Sequence, residues 1–74
     1  MDRLRIEIGF DGGQVMSAHV LISAADALEQ ALDGGSGGTV QLDAEDGRYT
    51  IALQRVVYVK RFARESRVGF GTAA

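Results

Sequence analysis

Basic and aromatic side chains alternate in the last third of the chain, and this is the stretch whose residue types suggest a chemistry. Lys60-Arg61-Phe62 is followed by Arg64, Arg67 and Phe70. Cationic groups neutralise backbone phosphates and exposed rings stack on bases, which is how single-strand nucleic-acid binders work. The alternative interpretation is a solvated strand end and tail whose cations pair with the acidic N-terminal half of the chain.

The side chains needed for catalysis or metal binding are scarce. The chain has no cysteine and one histidine, which excludes disulfides and thiolate metal sites and argues against a zinc site. His19 and Ser17 share a strand face only because strands have a period of two, so we interpret His19 as structural. Asp43, Glu45 and Asp46 could offer oxygen ligands to calcium. The twelve-residue loop of a calcium site is missing, however, so we interpret them as a polar turn. We therefore predict no enzyme activity, no catalytic residue and no metal site.

The glycine-rich segment 34–39, GGSGGT, could suggest phosphate binding. A P-loop, however, carries Gly-Lys-Ser/Thr and opens a helix, whereas this segment has no lysine and follows a predicted helix. We interpret it as a flexible connector and predict no cofactor.

Length and charge set limits on the kind of protein. The 74 residues predict a single domain, 1–74, with residues 67–74 as a C-terminal tail. No apolar run is long enough to span a membrane, and no signal-peptide pattern follows the first residues, so we expect no membrane partner and a cytoplasmic location. Residues 1–47 carry nine acids against two arginines, whereas residues 48–74 carry six basic residues against one acid. The two halves can therefore attract each other, another copy or a charged partner.

Alternating patterns predict the strands. Leu4, Ile6, Ile8 and Phe10 alternate with polar residues or glycine, which predicts a half-buried strand. The Asp-Gly-Gly sequence at 11–13 then predicts a turn, and residues 14–20 a return strand. Val40 and Leu42 alternate with polar residues before the Asp46-Gly47 turn, and Tyr49, Ile51 and Leu53 alternate after it, which predicts a second hairpin. A last strand is predicted from residue 56 to 62.

One helix is predicted between the second and third strands. Ser23 stands in a favourable N-cap position, residues 24–32 carry one apolar face, and Gly34 supplies the stop. The order β-β-α-β-β-β predicts an α+β fold with one helix on one face of a mainly antiparallel sheet. A β-grasp-like arrangement fits best, and a small Sm-like or SH3-like barrel is the alternative.

Several short motifs are similar to those of a family of small actinobacterial proteins, a domain of unknown function. They are Ile8-Gly9, the helix from Ala24 to Leu32, the hairpin from Asp43 to Arg48, Arg55-Val56-Val57-Tyr58-Val59 and the closing Arg67-Val68-Gly69-Phe70-Gly71. The resemblance implies the fold and a cytoplasmic location, and it implies no particular activity. The basic residues after Val59 depart from the acidic residues that are typical of the family.

The last strand carries the predicted function. The alternation puts Val56, Tyr58 and Phe62 on one face and Val57 and Val59 on the other, so the strand is apolar on both sides. Such a strand is either covered on both faces or is an edge that meets another molecule. A further alternative is that residues 67–74 fold back and Phe70 covers this patch within the same chain. We predict a non-enzymatic protein–protein interaction module that forms a homodimer or small homo-oligomer; the alternative is a nucleic-acid- or ribosome-associated protein. The predicted binding residues are Val56, Tyr58, Lys60, Arg61, Phe62, Arg64, Arg67 and Phe70.

Overall fold

The alternating apolar residues at the start of the chain form a β-hairpin. A computed structural model of the chain describes residues 2–35 and 37–62. Strands β1 (Arg3–Phe10) and β2 (Val15–Leu21) pair antiparallel from Arg3↔Leu21 to Gly9↔Val15. They are joined by a 3₁₀ turn, Asp11–Gly13, in which both glycines have positive φ. The predicted turn is confirmed, and β2 lies one residue later than expected.

Helix α1 (Ile22–Gly34) follows β2 without a loop. Leu21 is its N-cap and makes no side-chain capping bond, so the prediction that Ser23 caps the helix is wrong. Ser23 lies inside the first turn because β2 continues to Leu21 and the helix starts at once. At the other end Gly35, in the left-handed conformation, donates its N–H to Leu32 O at 3.2 Å, one residue after the predicted stop.

The second hairpin forms around the acidic turn. Strands β3 (Thr39–Ala44) and β4 (Gly47–Ala52) pair in register from Thr39↔Ala52 to Ala44↔Gly47, with Glu45 and Asp46 as the connection. The pair Val20↔Ala44 links β3 to β2, and Glu45 N donates to His19 O at 2.9 Å beside it. The two hairpins therefore join where β3 ends.

Strand β5 (Val56–Arg61) follows a short 3₁₀ turn, Leu53–Arg55, and pairs antiparallel with β1. The sheet order is β4-β3-β2-β1-β5. The predicted α+β class and the order β-β-α-β-β-β are confirmed. The likeness to a β-grasp stops at the element order, because a β-grasp pairs its first and last strands in parallel. Over residues 2–35 and 37–62, the sheet also keeps two edges, β4 and β5, and does not close into the alternative barrel.

The core lies between α1 and one face of the sheet. Its members come from every helix and strand except β5, together with Leu53 of the second 3₁₀ turn. The buried apolar residues are Ile6, Ile8, Ala18, Val20, Ala25, Leu28, Leu42, Ile51 and Leu53. No polar or charged residue of the described ranges is buried with them. The 13-residue helix, the only one in those ranges, is neither long nor apolar enough to cross a membrane.

Candidate binding surface on strand β5

Among the described residues, β5 pairs along one side only, with β1, so its other edge, called the free edge, exposes backbone hydrogen-bonding groups. Phe62 N donates to Arg5 O at 3.0 Å, which makes Arg5 and Phe62 a hydrogen-bonded pair of the ladder. Hydrogen-bonded and non-bonded pairs alternate, so Arg61 and Val59 form the non-bonded pairs with β1. Their N–H and C=O groups therefore point away from β1, towards the edge of the sheet.

A β-bulge changes which residues of β5 share a face. Tyr58 lies opposite Gly9, but Val56 lies opposite Phe10, so Val57 is an extra residue in the ladder. Val56 consequently packs against the core with Phe10, and Tyr58 lies on the side away from α1. The prediction that Val56 and Tyr58 share a face is wrong, because strict alternation does not survive a bulge. Val57 itself is 67% exposed.

The face of β1 and β5 that α1 does not cover is called the open face, and it consists of Arg3, Arg5, Glu7, Gly9, Tyr58, Lys60 and Phe62. On it the Tyr58 ring lies directly over Gly9: a Cβ atom on Gly9 would be only 2.0 Å from Tyr58 Cε2. The Tyr58 hydroxyl donates to a carboxylate oxygen of Glu7 at 2.6 Å. Glycine is needed here because any side chain would occupy the space of the ring.

Hydrogen bonding raises the pKa of both tyrosines of the chain above the ordinary value of 10.0. Tyr58 donates to Glu7 and Tyr49 to Asp46, bonds that ionisation of the phenol would break, and burial and charge repulsion act in the same direction. A phenol with a raised folded-state pKa contributes stability below about pH 10 and loses that contribution as the pH rises further.

We therefore expect the free energy of unfolding to fall as the pH rises above about 10, and tyrosinate absorbance to appear later in the folded than in the unfolded chain. Tyr58→Phe and Tyr49→Phe should each remove one late transition in a spectrophotometric titration. Tyrosine titration midpoints that are the same in the folded chain and in the chain unfolded by urea would contradict the two hydrogen bonds.

Phe62 lies between two cations of the open face. The guanidinium carbon of Arg5 is 4.3 Å and the ammonium nitrogen of Lys60 is 4.6 Å from the centroid of its ring. Within the described residues, neither cation, nor Arg3, has a carboxylate within ion-pair distance. Arg3 donates only to the backbone oxygen of His19, at 3.5 Å. The open face therefore carries three cations without an acidic partner.

Arg61 points to the opposite side of the sheet. Its Nε donates to Glu29 at 2.7 Å and its Nη2 to Asp26, both on α1. The hydrogen bonds to these two carboxylates raise the pKa of the guanidinium further above its usual range. These two ion pairs connect β5 to α1, and the two carboxylates compensate the charge of Arg61.

A second feature is an open cleft of about 850 Å³ between the first turn and β4. Phe10, Met16 and Ile51 contribute its apolar lining, and an ion pair from Arg55 to Asp11, at 3.1 Å, borders it. Within the described ranges, no three His, Cys, Asp or Glu side chains come close enough to hold a metal ion. The described residues of the cleft therefore form a concave surface in which we assign no catalytic or metal-binding group.

The structure brings together only part of the predicted site. Tyr58, Lys60 and Phe62 share the open face, whereas Val56 and Arg61 lie on the helix side. Arg64, Arg67 and Phe70 fall outside the described residues. Arg3, Arg5, Glu7 and Gly9 were missed: the alternation of the first strand places them on its outer face, but nothing local shows that β5 lies beside it.

Comparison of the chain with protein-family models, with curated proteins and with solved structures finds no match in any of the three. The resemblance to the actinobacterial family therefore stays a prediction.

Proposed function

We propose that this protein is a non-enzymatic interaction module that self-associates through the free edge of β5, with the cytoplasm as its expected location. The observation that carries the proposal is the position of β5 at the edge of the sheet, with Val57 and Tyr58 67% and 42% exposed. An edge strand with unpaired backbone groups is a template for a further strand. A second copy of β5 supplies a strand of the same length and the same groups.

The side chains of β5 favour one register for that pairing. In a twofold antiparallel pair with Val59 opposite itself, Arg61 lies opposite the partner's Val57, and Tyr58 opposite the partner's Lys60. A tyrosine beside a lysine permits a cation–π contact, and no like charges meet. Twofold symmetry also closes the assembly, since both β5 edges are used.

Each of the two neighbouring registers is less favourable. Shifting one strand by two residues places Lys60 opposite the partner's Lys60. The opposite shift leaves Arg61 beyond the end of the partner's β5, next to the preceding 3₁₀ turn, and shortens the ladder. Like charges directly opposite each other destabilise a strand pair. The bulge at Val57 and the lysine on the edge further restrict the pairing, so we expect a short, closed dimer contact.

Cysteine cross-linking tests this register, because the chain has no cysteine of its own. The Cα atoms of a hydrogen-bonded antiparallel pair lie about 5.5 Å apart, within the range of a disulfide. Val59→Cys should therefore form a covalent dimer on mild oxidation, and so should a mixture of the Val57→Cys and Arg61→Cys variants.

Thr50→Cys is the matched control, since Thr50 is an exposed residue of β4, the other edge strand. It should cross-link only slowly. Equal cross-linking of Val59→Cys and Thr50→Cys, together with a light-scattering mass near the 7.9 kDa of one chain, would overturn the proposal.

A further inference from the structure

Charge is distributed unevenly over the two sides of the sheet. Of the six basic residues in the described ranges, Arg48, Arg55 and Arg61 form ion pairs with acids. The other three are Arg3, Arg5 and Lys60, and all of them lie on the open face. A group of cations without acidic partners on one surface attracts an anionic ligand.

The acids that make the whole chain acidic lie mainly elsewhere. Asp26, Glu29 and Asp33 are on the outer surface of α1, on the other side of the sheet. Glu7 is the acid of the open face, and its carboxylate accepts the hydroxyl of Tyr58. The net charge of −2 therefore does not describe the surface that an anion would meet.

Two aromatic rings accompany these cations. Tyr58 lies flat over Gly9 and is 42% exposed, which leaves the other side of its ring available. Phe62 follows β5 directly and lies four positions after Tyr58, a distance of about 13 Å in an extended chain. Arg5 and Lys60 lie over the Phe62 ring, so this ring holds two cations in place, and the Tyr58 ring offers the exposed stacking surface.

We propose that the open face binds a single strand of nucleic acid. Cations along a groove or sheet neutralise phosphates, and exposed rings stack on bases without sequence preference. An acidic peptide would use the cations but not the rings, so the pairing of the two favours nucleic acid. The site is formed by β1 and β5 of one copy and does not depend on self-association.

The test is fluorescence anisotropy of the full chain with a labelled, mixed-sequence single-stranded RNA of about twelve nucleotides. Three neutralised phosphates predict an affinity loss of about 20-fold between about 50 and 200 mM salt. Arg5→Ala and Lys60→Gln should each weaken binding and reduce the slope of log K against log salt by about 0.7. Arg48→Ala removes the same charge from an ion-paired residue and should leave both nearly unchanged.

Tyr58→Leu tests stacking, because leucine keeps part of the apolar volume and removes the exposed ring. Loss of stacking on one base predicts an affinity loss of about 5-fold or more. Circular dichroism shows whether each variant is folded. If Tyr58→Leu is unfolded, the comparison of Lys60→Gln, at an exposed position, with Arg48→Ala still tests the site.

Three results would overturn the proposal. They are no binding at about 50 mM salt, the same loss for Arg5→Ala as for Arg48→Ala, and equally tight binding of poly-glutamate. The last result would assign the open face to acidic proteins.

Discussion

Replacing Leu28 with alanine should lower the free energy of unfolding by about 2–5 kcal/mol. Leu28 is 1% exposed and is one of the two buried residues of α1, so its removal leaves a cavity where helix and sheet meet. A domain of this length has a total stability of about 4–11 kcal/mol. Leu28→Ala should therefore remove a large fraction of the total stability, as urea titration by circular dichroism would show.

Ile22→Ala is the matched control for this prediction. Ile22 lies on the same helix and has the same number of side-chain carbons, but it is 44% exposed. Its replacement should cost about 1 kcal/mol or less, because little area is lost from the core. Similar costs for both variants would contradict the assigned helix face.

Gly9→Ala should lower the free energy of unfolding by about 1–3 kcal/mol, although alanine ordinarily stabilises a strand relative to glycine. The added Cβ would lie 2.0 Å from the ring of Tyr58, so the ring must leave its place. Its hydrogen bond to Glu7 is then lost as well. The steric cost exceeds the gain of about 0.4–1 kcal/mol that comes from a less flexible unfolded chain.

In a Tyr58→Ala background, Gly9→Ala should no longer lower the free energy of unfolding. The three atoms nearest to a Cβ on Gly9 all belong to the Tyr58 ring, so removing the ring removes these close contacts. Gly9→Ala should then be neutral or slightly stabilising, by about 0.4–1 kcal/mol. A double-mutant cycle from urea titrations measures the difference, and equal costs in both backgrounds would show that Gly9 matters for another reason.

Most of the fold was predictable because its signals are local. Alternation along β1, the Asp-Gly-Gly turn and the hairpin around residues 45–46 depend on neighbours only a few positions apart. The helix was predicted for the same reason, with its start wrong by two residues. The Ser23 cap failed because the end of β2 decides where the helix begins, and a capping preference is weaker than that constraint.

The candidate site was predictable only in part. The sequence alone indicated that the segment from residue 56 to 62 is apolar and basic and lies near an edge. Alternation placed Tyr58 and Phe62 on one face, in agreement with the structure, and Val56 on the same face, which the structure contradicts. It could not show the bulge at Val57, because the bulge arises from the pairing of β5 with β1 and not from any pattern within β5.

Only the tertiary structure decided which charges remain without partners. Arg61 was expected beside Lys60 as part of one basic patch, yet it crosses to α1 and binds Glu29, 32 positions away in the chain. Arg5 lies beside Phe62 because β1 and β5 are neighbours in the sheet, although 57 positions separate them. Composition and alternation determine what each strand can expose, but contacts between distant residues depend on how the strands are ordered. The sequence therefore determined the elements and their outward faces, and strand order determined which of those faces became one surface.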